Sequence, residues 1–386
     1  MPAIKDLSQL FKDIDDFAEE HFSEEKIQQW CNWGGMPPEV IRAFYQSNLG
    51  SYISAENLNK KDSFIYCAAL IAHLTRKAGT TLPLLSEVLS FVLLSSLQQY
   101  TSPKVFNELV CKDKRIDFCE AFSEPGAGTS AFAIRTEVSS ENGQIYLDGE
   151  KSFVTSGEFM SRALVLAHDT IYGQYDGGIS LWLVDLNQAG VTKCSISTIG
   201  QEMTNPSAII FNHVLLDPDY RIKTQGDLDS VLKRQFNLGR LLVCASSLGL
   251  ALAAMDDAVH YASKKQSSGK YLYALPQIQE KFADMLSKIK AMQALILNAA
   301  NLAHKNDSEF VLATSLMKYY VPRAASDVAS QALQIFGGVG YTNQIRVSRI
   351  WKDCRGNQIA QGTDEVMVHS ISKQLIRSYD SVLQTL

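Results

Sequence analysis

Residues 334–366 read QIFGGVGYTNQIRVSRIWKDCRGNQIAQGTDEV. GGVG alone is only a glycine-rich turn, and the polar turn at Gln361 leads into a helix that carries Asp364, Glu365 and His369. Upstream, three runs have a helical period: VLKRQFNLGRLLVCASSLGLALAAMDDAVHYASKK, PQIQEKFADMLSKIKAMQALILNAANLAHK and EFVLATSLMKYYVPRAASDVASQALQIFG. Each is roughly 28 to 35 residues, longer than an average helix and suited to a bundle of long helices.

Further upstream the texture changes. From about Phe118, QIYLDGEKSFVTSG, RALVLAHD, GISLWLVDL, VTKCSIS and SAIIFNHVLL are short β-rich runs separated by NG, DG, GG and PS turns, which predicts an antiparallel sheet. The sheet is expected to end near LLDPDYRIKTQGD, where proline, glycine and charge cluster. Residues before Phe118 read as helices, and DSFIYCAALIAHLTRKAGTTLPLLSEVLSFVLLSSLQQY is apolar on more than one face, as a buried helix pair is. The expected class is α+β, with an N-terminal helical domain over 1–118, a middle β-domain over 119–226 and a four-helix-bundle domain over 227–386.

Bulk properties narrow the function. A chain of 386 residues exceeds the size at which single cores stop growing, so subdomains packed as one body are expected. With 46% hydrophobic residues and a net charge of -5 there is no basic field for nucleic acid. The first thirty residues mix charges with apolar residues at helical spacing, which argues against a secretory h-region. No apolar run looks close to the roughly 18 residues that span a bilayer, so no membrane span and a cytoplasmic location are expected. Seven cysteines without a CxxC pair suggest neither metal site nor disulfide framework; they read as free thiols, mostly buried.

Four stretches together resemble the acyl-CoA dehydrogenase family: AFSEPGAGTSAFAIRT at 121–136, GEKSFVTSG at 149–157, the pair SLGLALAAMDDAVHYA and QIQEKFADM within 247–285, and the 334–366 stretch. The last stretch and the second long helix resemble the branch containing crotonobetainyl-CoA reductase. The Gly-Ala-Gly turn between Ser123 and Thr129 offers N–H groups and hydroxyls without steric cover, which suits a flat polar heterocycle or a phosphate, or else is a tight loop. The resemblance implies FAD as cofactor. Phe122, Ser123, Phe153 and Thr155 would line its isoalloxazine ring, while Thr129 would lie near the acyl-CoA. Gln334, Gly337 and Gly338 would meet the diphosphate and adenosine half of an FAD in a neighbouring subunit; Thr363 and Glu365 would touch FAD beyond the active site. A homo-oligomer, usually a tetramer, follows from that shared site, and an electron-transfer flavoprotein is the implied electron partner.

The sequence departs from the family where the chemistry is done. The usual base is a glutamate before the Gly-Thr of the last motif, here Gln361 before Gly362, and the alternative position preceding Arg240 is Gly239. An amide has no usable proton affinity, although the Gln361 backbone N–H can still hydrogen-bond a thioester carbonyl. The family's Arg-Lys-Thr-Phe-Gly turn becomes Lys265-Gln266-Ser267-Ser268-Gly269, which removes an aromatic wall, and an expected glutamine is Pro276. Lys265 can pair with a phosphate but lacks the bidentate fork of arginine. Asn237 stands where an aspartate is common; Arg240 reads as a substrate contact or a helix-surface salt bridge. His168 and His213 read as structural, and no replacement base is assigned. The expected activity is oxidoreduction at the α,β C–C bond of an acyl-CoA or acyl-carrier-protein thioester. The alternatives are a non-catalytic acyl-binding scaffold and a flavoenzyme dedicated to carrier-protein-bound acyl groups.

Overall fold

The computed structural model describes residues 4–53, 62–109, 118–127, 133–172, 178–224, 226–305, 308–377 and 379. Among the described residues seven helices come first: α1 Ile4–His21, α2 Glu24–Trp33, α3 Pro38–Gln46, α4 Asn48–Tyr52, α5 Ser63–Ala78, α6 Leu84–Leu97 and α7 Pro103–Leu109. Local chemistry sets their ends. Ser23 accepts from Lys26 N at the start of α2, where Glu24 and Glu25 complement the helix dipole, and Gly34 closes it at φ 90°.

Eight strands build the middle sheet: β1 Phe118–Ala121, β2 Glu137–Glu141, β3 Gln144–Thr155, β4 Arg162–Asp169, β5 Ile179–Asp185, β6 Val191–Ser195, β7 Pro206–Leu216 and β8 Arg221–Ile222. Their order is β6-β7-β3-β2-β4-β5-β8, with β1 also on β4. The sheet is mixed rather than wholly antiparallel, which corrects the expectation. Phe118 pairs with Arg162 and Glu137 with His168, both parallel, so β1 and β2 lie end to end along β4. Residues 122–127 leave the sheet after β1, and 133–136 lead back into β2. Alternation of side chains reveals a strand but carries no information about its direction. Gly149 is required where β3 passes β2: its φ is +145°, and an added Cβ would sit 2.6 Å from Thr136 Cα.

The C-terminal part has α8 Leu228–Lys264, a short hairpin of β9 Gln266–Ser267 and β10 Lys270–Tyr271, then α9 Pro276–Leu302, α10 Ser308–Phe336, α11 Arg346–Ile359 and α12 Asp364–Arg377. By length and composition α8 is apolar enough to cross a membrane, contrary to the expectation from sequence, but 83% of its apolar window is buried inside the protein. It is the central helix of the core. Small residues let neighbours approach it closely; a Cβ on Gly249 would collide with the Ala72 carbonyl of α5. Helix α10 runs alongside α8 in the same direction, since Thr314 bonds Asn237 and Phe336 stacks on Tyr261.

One carboxylate joins all three regions. Asp353 of α11 is fully buried and accepts hydrogen bonds from Thr80 Oγ1 (2.8 Å), Thr81 N (2.7 Å) and Gln201 N (2.6 Å). Burial pushes its pKa up to about 6 against those bonds. Asp353→Ala strands three donors at once, and since each buried orphan costs about 1–3 kcal/mol, a loss of about 3–5 kcal/mol is expected. Thermal and denaturant unfolding measure it; a change below about 1 kcal/mol rejects the junction.

Candidate active site

The turn between α11 and α12 is tight because Gln361 and Gly362 both have positive φ, 56° and 99°. Its effect is to fold the Gln361 amide back onto α8. A Cβ placed on Gly239 would lie 2.6 Å from Gln361 Oε1 and 2.7 Å from its Cδ. The two positions without a base are therefore one place in space, and the side chain missing at Gly239 is the room the Gln361 amide fills. Lys318 of α10, fully buried, fastens the turn by donating to Gln358 O (3.3 Å) and Gly362 O (3.0 Å).

Beside the turn, Arg240 donates from Nη1 to Asn237 Oδ1 (2.7 Å), which Thr314 Oγ1 also reaches at 3.1 Å. Arg240 is thus bonded to an amide, and the surface salt bridge weighed from sequence is not formed. Its Nε is buried without a hydrogen-bond partner. Burial lowers the Arg240 pKa to about 10 and lowers that of Lys318 as well. Among the described residues neither cation has a carboxylate at ion-pair distance. The turn gathers two desolvated positive charges around a neutral amide, a field that favours a developing negative charge on a bound group.

The opposite wall comes from the sheet. Phe122 packs edge-on against Phe236 of α8, with centroids 6.3 Å apart, one turn before Gly239 and Arg240. Ser123 is exposed, and its carbonyl accepts from Ser152 N at 2.9 Å, which sets it beside β3. On β3, Phe153 is 66% exposed at φ 55°, within the register shift against β7, and Thr155 follows half-buried. A bulky residue at positive φ costs about 1–3 kcal/mol, and such strain gathers at ligand sites. An exposed aromatic face, the Ser123 and Thr155 hydroxyls, and a buried Ser152 hydroxyl without a partner fit a flat heterocycle with a polar edge. Thr129 lies outside the described residues.

Underneath this wall is a buried ion pair that the sequence reading missed. Lys151 Nζ, fully buried, lies 2.7 Å from Glu124 Oε1 and donates to Phe122 O at 3.3 Å. Glu124 also accepts from Arg135 N (2.6 Å) and Thr136 N (3.0 Å). The pair ties residues 122–124 to 135–136.

The remaining predicted residues are elsewhere. Thr363 and Glu365 stand beside the Gln361 turn, half-buried and exposed respectively. Lys265, by contrast, is 26 residues beyond Gly239, about 39 Å along α8 at 1.5 Å per residue. There it lines a cleft of about 400 Å³ with Tyr261, Phe336, Ile345 and Arg346. Gln334 is exposed at the same end, and a Cβ on Gly337 or Gly338 would meet nothing within 4 Å. The packing of this chain does not require glycine at 338. Ser268 and Gly269 turn the adjoining hairpin, where the rings of Tyr271 and Tyr273 stack with centroids 5.7 Å apart.

The acyl-CoA dehydrogenase middle domain matches residues 119–214 and the acyl-CoA dehydrogenase C-terminal domain matches residues 229–376. The probable acyl-CoA dehydrogenase YdiO of Escherichia coli (strain K12) is 33% identical over 261 residues, 68% of each chain. The structure of acyl-CoA dehydrogenase from Slackia heliotrinireducens superposes with a TM-score of 0.84 at 33% identity over 97% of both chains. Butyryl-CoA dehydrogenase from Megasphaera elsdenii shares the fold, with a TM-score of 0.81 at 23% identity over 96% of this chain and 98% of that one.

Proposed function

Because the chain belongs to the acyl-CoA dehydrogenase family, we propose that it is an FAD-dependent oxidoreductase acting at the α,β C–C bond of an acyl thioester. The observation that carries this reading is the Gln361 turn, held over Gly239 beside two buried cations that have no carboxylate at ion-pair distance among the described residues, with Phe122 of the facing sheet wall packed on the same helix. Phe122, Ser123, Phe153 and Thr155 would hold the isoalloxazine. Bound flavin supplies a two-electron acceptor for the β-hydrogen. The chain's own residues do the rest of the work on the thioester. The Gln361 N–H and the field of Arg240 and Lys318 stabilise negative charge on the carbonyl oxygen as the α-proton leaves. The carrier is CoA or an acyl carrier protein, and an electron-transfer flavoprotein reoxidises the cofactor.

Lys265, Gln334, Gly337 and Gly338 would grip the diphosphate and adenosine half of a neighbour's FAD. Their separation from Gly239 by about 39 Å supports this, since one dinucleotide does not reach both ends of α8. Open space around Gly338 supports it too. The active form is then a homo-oligomer, a tetramer in this reading.

The test is colour and its loss. Protein reconstituted with FAD is expected to hold a flavin absorbance band that an acyl-CoA or acyl-carrier-protein thioester bleaches anaerobically. Failure to retain flavin, or a band that no thioester in a panel of chain lengths bleaches, rejects the reading in favour of a scaffold. Thr155→Ala should change the flavin spectrum or its reduction rate while leaving the unfolding temperature intact, because one hydroxyl at a half-buried site otherwise contributes little. An unchanged spectrum and unchanged rate remove Thr155 from the flavin.

A further inference from the structure

We propose that Glu120 is the acid–base residue of this site, exchanging a proton with the α-carbon of the bound acyl thioester in place of the carboxylate absent at Gln361 and Gly239. The proposal rests on the oxidoreductase reading of the same pocket.

Strand alternation sets the direction of the side chain. Cys119 and Ala121 pack into the cluster on one side of the sheet, while Phe118 and Phe122 belong to the cluster on the other, with Leu93 and Leu97 of α6 and Leu228, Val231 and Leu232 of α8. Glu120 shares the face of Phe118 and Phe122, so its carboxylate enters an apolar space between α6 and α8. It is half-buried there.

What holds it points toward the active site. Gln235, 2% exposed, donates from Nε2 to Glu120 Oε1 at 2.7 Å and to Leu89 O at 3.1 Å. Two acceptors on one amide nitrogen fix its orientation toward the carboxylate. Gln235 precedes Gly239 by four residues on α8, so the two share a face about 6 Å apart. Gly239 carries the Gln361 amide. Gln235, which bonds the carboxylate, and Gly239, which carries the turn, therefore sit on successive turns of one helix face. Phe122, two residues on and just past the end of β1, leads into the proposed flavin wall.

The surroundings also give Glu120 the right proton affinity. Burial raises its pKa to about 7, against hydrogen bonds from Gln235 and Ser90 that act to lower it. Both partners are neutral. The nearby charges are engaged: Glu124 is paired with Lys151, and Arg240 bonds Asn237. A group with pKa near the working pH both takes and returns a proton efficiently.

The balance is simple. The α C–H bond breaks and its proton goes to a Glu120 carboxylate oxygen. The electron pair left behind forms the α,β double bond, and the β-hydrogen departs with its own pair to the flavin, which is reduced by two electrons. In the reverse direction the same carboxyl returns the proton to the α-carbon.

The experiment uses FAD-reconstituted protein and Glu120→Gln, which keeps the shape and the bond to Gln235. Three measurements are made: thioester affinity, α-hydrogen exchange of bound acyl-CoA with D₂O by mass spectrometry, and infrared titration of carboxyl bands in the absence of substrate. The expected result is a 10²- to 10⁴-fold fall in α-exchange and flavin reduction with affinity changed less than about threefold. A carboxyl band titrating near neutrality should vanish in the variant. Unchanged α-exchange in Glu120→Gln overturns the proposal while leaving the oxidoreductase reading intact. A wild type that binds thioesters without exchange or bleaching overturns both. Should Glu120→Gln unfold, Gln235→Leu, which removes the donor but not the carboxylate, is expected to raise the pKa of that same infrared band; an unmoved band overturns the proposal.

Discussion

Gln361→Glu, introduced into a chain that already carries Glu120→Gln, is expected to raise flavin reduction by a saturated acyl thioester 10²- to 10⁴-fold over the Glu120→Gln chain. The two side chains are nearly isosteric, so the new carboxylate occupies the space over Gly239 where the amide now lies. Its main cost is desolvation. Arg240 and Lys318 lower that cost, since both are buried cations that no carboxylate neutralises among the described residues, and Lys318 already fixes the turn through Gly362 O. In the wild-type background the same substitution should gain far less, because Glu120 is present and two nearby carboxylates raise each other's pKa. Stopped-flow reduction separates the two backgrounds. If the double variant is no faster than Glu120→Gln although it binds the thioester equally well, the turn no longer places residue 361 against the α-carbon.

Lys151→Met is expected to cost about 3–5 kcal/mol, the usual consequence of leaving a buried charge without its partner. Glu124 would keep its bonds from Arg135 N and Thr136 N but lose the Lys151 ammonium at 2.7 Å, and Phe122 O would lose its donor. Loss of flavin should accompany loss of stability, because the segment that carries Phe122 and Ser123 is no longer tied down. Lys151→Met with Glu124→Gln should recover much of the deficit. The native pair also has a pH signature. Burial pushes the Glu124 carboxyl up, but bonds from Lys151, Thr136 and Arg135 outweigh it, so the net shift is downward. A carboxylate with a depressed folded pKa stabilises the protein above its unfolded value and ceases to do so as pH falls through the folded value. Acid unfolding of Lys151→Met should therefore depend less steeply on pH below about 4.5. An equal slope, or a stability loss under about 1 kcal/mol, removes the ion pair from this role.

The order of helices, strands and helices was legible because period is a local property: buried residues recur every two positions along most of β7 and every three or four in α10. Strand direction is not local, and so the parallel placement of β1 and β2 on β4 was missed. Residue types in the site were legible where they formed a motif, as at Gln361, Gly362 and Arg240. Meeting points were not. Gly239 and Gln361 looked like two separate vacancies because only the crossing of α8 by the α11–α12 turn makes them one. Glu120 and Lys151 were overlooked for a shared reason. Each is a charged residue in a strand, and whether such a residue faces water or another element depends on packing that no short stretch encodes.

The contact between Gly239 and Gln361 constrains how this site can change over generations. A side chain at 239 needs the volume that the 361 amide holds, so the two substitutions are order-dependent: residue 361 must shorten before 239 can grow. Gly239→Glu made first would meet the glutamine and be penalised, whereas the same change after Gln361→Gly would find room. The sign of its effect is set by the residue across the gap. A lineage moving its carboxylate between these two places must pass through a protein that has it at neither, and a third carboxylate bonded to the same helix face would keep such an intermediate working.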